Sequence, residues 1–171
     1  MGLGQTLLSV LALALLGTIM LGVNRNTADN GSVIERTEYE IMATSIGIST
    51  VEKATGLAYD ENTVNSDIGS AMSCTPLASL GPDIGETSDS TFDDFDDYNN
   101  FNKIVNPDGA STMRTAEFHL QGRVQYVQLS GDSVVTSVGQ TYHKLLTVRV
   151  WSKSMTDTLT FQTVYSYWYF R

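Results

Sequence analysis

Residues 3–23 read LGQTLLSVLALALLGTIMLGV, a run of 21 residues with no charge and no proline. At a 1.5 Å rise per residue such a helix reaches roughly 31 Å, enough to cross the hydrocarbon core of a bilayer. Leucine and alanine dominate, so helix propensity is high, and Gly17 and Gly22 weaken it only locally. Apolar residues fall on all sides instead of along one stripe, which predicts an apolar environment all round. Lipid supplies that environment, and so does a bundle of identical helices. A cleavable secretory signal fits less well. No Lys or Arg precedes Arg25, and the run exceeds the roughly 7–15 apolar residues of such a signal.

Outward from this run, residues 24–32 (NRNTADNGS) interrupt the apolar pattern. Asn30-Gly31 is a turn signal, and Ser32 with Glu35 three residues on matches a capping box that opens a new helix. The next stretch, VIERTEYEIMATSIGISTVEKATGLAY, is amphipathic. Ile34, Ile41 and Ile48 recur every seven residues, and Met42, Ala43, Ile46, Val51 and Ala54 widen the stripe. Glu35, Glu38, Glu40, Glu52 and Lys53 lie largely outside it. A wholly apolar helix is thus followed by one with a single buried face. A membrane anchor followed by an ordinary ectodomain helix gives the same pattern.

From residue 113 the period changes to two. EFHLQGRVQYVQL puts Phe118, Leu120, Val124 and Tyr126 on one face and His119, Gln121, Arg123 and Gln125 on the other. TYHKLLTVRVWSK sets Leu146, Val148 and Val150 in phase, opposite His143 and Arg149. TDTLTFQTVYSYWYF places Leu159, Phe161, Tyr165, Tyr167 and Tyr169 on one face. The linkers at 130–140 and 152–157 suit antiparallel neighbours. The expected fold is α+β: a long N-terminal helix, apolar stem then amphipathic half, packed on a C-terminal antiparallel sheet of three to four strands. Residues 1–55 form the stem, 56–112 a loop-rich acidic region and 113–171 the sheet, with 24–171 together forming one globular head. Core packing and strand pairing account for Tyr165, Tyr167, Trp168, Tyr169 and Phe170.

The middle region scatters Gly, Ser, Asn and Asp around Pro76, Pro82 and Pro107, with Ile68, Met72, Leu77, Leu80 and Ile84 pinning it to the core. Its densest signal is STFDDFDDYNNFNK, residues 90–103. Phe92, Phe95, Tyr98 and Phe101 recur every three residues, which suits a short helical turn with one side buried. Asp93, Asp94, Asp96 and Asp97 repel one another unless a cation or backbone donors sit among them. Hard oxygen ligands of this kind suit calcium, although the glycine and glutamate positions of an EF-hand are absent. A solvated acidic turn is the leading reading, and calcium at these four aspartates is the alternative.

With 171 residues, 42% hydrophobic and 17% charged, the chain has the size of one domain and is too apolar for disorder. A net charge of −9 leaves no electrostatic footprint for nucleic acid. That charge is uneven: residues 1–112 carry −12 and residues 113–171 carry +3, so copies stacked head to tail attract one another. One cysteine, Cys74, excludes an internal disulfide framework and reads as a small buried hydrophobe. His119 and His143 fall on polar strand phases and are expected to be exposed; adjacent strands that paired them could hold a metal. No nucleophile elbow, phosphate loop or paired-cysteine motif occurs, so no enzyme is expected and no cofactor beyond calcium.

The leading segment and the DDFDDYN string resemble type IV pilins and the pseudopilins of type II secretion. In that family a peptidase removes a basic leader, and the mature chain opens with a hydrophobic helix bearing Glu at position 5. With Met1 as the mature first residue, Gln5 falls on that position and accepts hydrogen bonds without supplying the negative charge. The resemblance implies a subunit of an extracellular filament at the cell surface. Its partners would be further copies of itself in a helical homopolymer, the inner membrane before assembly, and a pilus assembly machinery. Met1, Leu3, Gln5, Leu7, Leu8, Val10, Leu11, Leu13, Leu15, Leu16, Ile19, Met20 and Val23 would form the assembly interface. Residues 34–57 would join stem to head, and the acidic middle would face solvent or a neighbouring subunit. A membrane-anchored ectodomain that binds a soluble partner and a minor pseudopilin are the competing readings.

Overall fold

The computed structural model describes residues 2–106 and 116–167, apart from the side chain of Ser32. Expectations placed on Met1, Pro107, Trp168, Tyr169 and Phe170, and on a cap by the Ser32 side chain, lie outside the described residues. The chain runs α1 (Leu3–Thr55), α2 (Glu61–Val64), β1 (Asn102–Val105), β2 (Phe118–Ser130), β3 (Ser133–Thr136), β4 (His143–Ser152) and β5 (Leu159–Ser166). Three single 3₁₀ turns lie between α2 and β1. This is the α+β order of helix, loops and antiparallel sheet.

The chain divides into two compact units, Met1–Tyr39 and Glu40–Arg171. In the first, α1 runs straight through residues 24–32, where a turn and a new helix were expected. A helix already nucleated adds residues at little cost, so one Gly31, worth about 1 kcal/mol, does not end it. The Thr27 hydroxyl donates to the Val23 carbonyl at 2.9 Å, so a polar residue serves the helix instead of breaking it.

In the second unit the last turns of α1 bury Ala43, Gly47, Thr50 and Ala54. Ile41 and Ile48 remain 65% and 46% exposed, and Ile34 in the first unit is exposed too, so the isoleucine repeat is not the buried face. Small residues face inward because the sheet supplies the bulk. The Phe161 ring of β5 occupies the space that a side chain at Gly47 would need.

Among the described residues the sheet has five strands, more than the three to four expected. Its order is β1-β2-β4-β5, all neighbours antiparallel, with β3 paired to the far end of β2. The extra strands come from stretches read as loop: β3 is a hairpin around Gly131, whose φ of +57° suits a tight turn, and β1 lies inside the acidic region. Alternation places Phe118, Leu120, Val124 and Tyr126 of β2 and Leu146, Val148 and Val150 of β4 on one face, none more than 2% exposed. Tyr165 and Tyr167 are buried.

Candidate assembly surface and buried charge cluster

In the first unit, Leu3, Gln5, Leu7, Leu8, Val10, Leu11, Leu13, Leu15, Leu16, Ile19, Met20 and Val23 are all exposed. By length and composition α1 can cross a membrane, its most apolar window having a mean hydropathy of 2.3. Its hydroxyls are spent on the helix itself: Thr6 donates to the Leu3 carbonyl at 2.9 Å, Ser9 to Gln5 at 3.0 Å and Thr18 to Leu15 at 2.8 Å. Side chains that bond their own backbone suit an environment without water. Among the described residues, and apart from the helix's own adjacent backbone, nothing lies within 4 Å of a Cβ built at Gly4, Gly17 or Gly22.

In the second unit the acidic motif is inside. Asp94, Asp96 and Asp97 are at most 2% exposed and Asp93 alone is exposed, so the motif is not the solvent-facing turn that was expected. It enters the core because it is pinned on both flanks. Ala58 forms a parallel bridge with Asp94, the Phe95 amide donating to the Ala58 carbonyl at 2.9 Å. Phe92, Tyr98 and Phe101 pack edge to face with centroids 5.2–5.5 Å apart. The carboxylates cap their own turn. Asp94 Oδ1 accepts from the Asp96 and Asp97 amides, and Asp97 Oδ2 from those of Asp93 and Asp94.

Beside this turn lies a buried cation. Lys144, fully buried on β4, donates from Nζ to the Tyr59 carbonyl at 2.9 Å, to Asp60 Oδ2 at 2.7 Å and to Asp96 Oδ1. The Tyr59 and Tyr126 rings flank it, their centroids 4.5 and 5.2 Å from Nζ. Asp60 also accepts from the Thr75 amide and hydroxyl and from the Asn62 amide, and caps α2. Asp96 Oδ2, by contrast, is buried with no hydrogen-bond partner among the described residues.

These environments drive the carboxyls apart. Burial pushes Asp60 up, but the Lys144 charge and the donated hydrogen bonds outweigh it and hold the group below the usual range. Burial pushes Asp94 up to about 9, with the charges of Asp96 and Asp97 adding to it. Asp97 rises to about 7, from burial and then the nearby Glu86. Asp96 rises to about 6 because burial outweighs Lys144.

The four aspartates grouped from the sequence are therefore divided. Asp93 lies with Glu61 and Asp94 in one carboxylate triad and with Glu86 and Asp97 in another, the oxygens of each within 4.8 Å. Such oxygens could hold a hard cation. Asp96 turns to Lys144 instead. Glu61, Glu86, Asp60 and Lys144 were not singled out as site residues. Lys144 was legible, since it shares a strand phase with Leu146, Val148 and Val150, and a lysine on an apolar phase calls for a buried acid.

Cys74 is buried and free, its thiol pushed up to about 11 by burial. His119 and His143 are half-buried, not exposed. His119 stacks on Trp151, and His143 Nδ1 lies 2.7 Å from the Ser166 hydroxyl. The register pairs His119 with Trp151 and His143 with Ser166, so the strands do not bring the histidines together. No protein-family model, curated protein or solved structure matches this chain.

Proposed function

We propose that this protein is the structural subunit of an extracellular, type IV pilus-like filament that polymerises through residues 3–23. The reading is carried by one observation: an unbroken helix whose apolar side chains are exposed on every side and whose hydroxyls are bonded internally. The exposed glycines support it. Each costs about 1 kcal/mol of helix propensity, and where lipid is as apolar as leucine, close helix approach through small residues is what favours protein neighbours. Before assembly the helix sits in the inner membrane; in the fibre, other stems replace the lipid. The contact is heterologous and non-closing, which generates open helical symmetry. The +3 of residues 113–171 against the −12 of the rest favours head-to-tail stacking. The partners are copies of this chain and an assembly machinery, and the role is architectural, not catalytic.

A single-pass anchor bearing an ectodomain is the second reading, favoured by the same mean hydropathy. Electron microscopy of the intact chain after detergent removal separates the two. Fibres with a core of packed helices are expected. Single particles seated one by one in vesicles, at every concentration tried, would leave only the anchor.

A further inference from the structure

We propose that Lys144 and Asp96 join covalently, as a side-chain amide that forms without an enzyme and clamps β4 to the 96–98 turn. Four observations meet here. Both groups are buried and in direct contact. Two tyrosine rings and the core flank the amine, so water is excluded from the product and hydrolysis is suppressed. A second carboxylate, Asp60, stands 2.7 Å from the same nitrogen. Asp96 Oδ2 is buried with no partner among the described residues: the Thr75 hydroxyl proton goes to Asp60 Oδ1, and the adjacent Asp60 is itself an acceptor. An oxygen without a partner is costly in an ion pair, whereas amide formation removes one of the two Asp96 oxygens altogether.

The two carboxylates are equipped for different tasks. Asp60 receives hydrogen bonds from the Thr75 amide, the Thr75 hydroxyl and the Asn62 amide, which keep it ionised and a poor electrophile, and its contact with Lys144 Nζ places it to receive the ammonium proton. Asp96 has an unpartnered oxygen and a burial that favours its uncharged acid, the form whose carbonyl carbon an amine attacks. Environments that pull two neighbouring acids in opposite directions assign base and acid roles.

The step balances without any added reagent. Asp60 takes one proton from the Lys144 ammonium, leaving a neutral amine whose lone pair attacks Asp96 Cγ of the carboxylic acid. The N–C bond forms and the carbonyl electron pair moves onto oxygen. The Asp60 acid hands the proton it holds to the departing hydroxyl and accepts the second nitrogen proton in its place. The C–O bond breaks, the carbonyl reforms and water leaves. One amide N–H remains, and Asp60 ends with one proton, so charge and atoms are conserved. Fixed contact between amine and acid replaces activation, since effective molarities in well-oriented intramolecular reactions reach about 10⁵ M or more.

The test is the intact mass of the full-length chain, measured after denaturation. The wild type is expected one water lighter than its sequence, and its protease digest should contain a branched peptide joining Lys144 to Asp96. Lys144→Arg and Asp96→Ala should not contain that peptide. Asp60→Asn keeps one oxygen to accept from Thr75 and Asn62, so it is expected to fold, judged by circular dichroism, yet to hold its full sequence mass. A wild type at full sequence mass overturns the proposal without reference to any variant. So does a water loss mapped elsewhere, to an aspartyl imide or to a Lys144–Asp60 link. Complete cross-linking in folded Asp60→Asn overturns the part given to Asp60.

Discussion

Phe161 of β5 lies in the space above the Gly47 backbone, so that any Cβ at position 47 would overlap its ring. This relationship sets how the last turns of α1 meet the sheet: the helix offers Ala43, Gly47, Thr50 and Ala54, and the strand offers an aromatic. The depth of the contact rests on the missing side chain.

Gly47→Leu is therefore expected to lower stability by about 1–3 kcal/mol, the range for overpacking a filled interior, even though leucine is the better helix former. Phe161→Ala in the same chain should recover part of that loss, because the leucine then fills the vacated volume. Denaturant melts of the four members of the cycle would give a coupling energy well away from zero. Additive losses would mean that the two residues do not compete for one space.

Lys144→Met keeps the stem and removes the nitrogen, ammonium or amide alike, leaving Asp60 and Asp96 buried opposite an apolar group. A loss of about 3–5 kcal/mol is expected, as for other buried pairs from which one partner is removed. Lys103, whose 2.7 Å contact with Asp89 involves a lysine 41% exposed, should respond to the same substitution by no more than about 1 kcal/mol. Equal losses in chemical melts of the two variants would refute the ranking.

The sequence period placed the sheet well, because alternation on β2, β4 and β5 is enforced by one buried face, and Phe118, Leu146 and Val148 fall where period two puts them. It placed the helix face in part. Ala43 and Ala54, at the edge of the predicted stripe, are buried, but an isoleucine every seven residues looks like its centre and is exposed, while Gly47 carries no hydrophobic signal of its own and becomes the interior only because Phe161 fills the gap. The aspartates misled for the opposite reason: four acids in five residues read as solvated, and the residues that change this, Asp60 and Lys144, lie more than thirty positions to either side. Local pattern carries strand phase; it does not carry a pairing made across the fold.

Stability should decline on the alkaline side. The folded chain holds protons on Asp94 and Asp97 more tightly than the unfolded chain does. Their contribution is complete below the ordinary carboxyl value of 3.8 and is lost as pH rises through about 7 for Asp97 and about 9 for Asp94. Asp60 works in the other direction while Lys144 is a free ammonium: held below the usual range, it gives stability that is lost on acidification. Tm should therefore peak in mildly acidic buffer and fall toward pH 9. Asp94→Asn keeps an oxygen for the Asp96 and Asp97 amides and should flatten the alkaline fall. A wild-type Tm that is level across this range would contradict the burial of these acids.

Placing a charge on the apolar helix separates assembly from folding. Leu11 is 60% exposed in the first unit, so Leu11→Lys removes no packing from the second unit and should leave its Tm unchanged. In a fibre the same lysine would meet apolar side chains of neighbouring stems, where an unpaired charge costs several kcal/mol at every subunit. In a bilayer a lysine at the centre of a helix is tolerated at about 2.5–3.5 kcal/mol, and one so placed that it snorkels to the interface costs less. The expected outcome is a variant that still fractionates with membranes but yields no fibres, scored by sedimentation and microscopy beside the wild type. Fibres of normal number and length from Leu11→Lys would move the polymerising contact away from this helix.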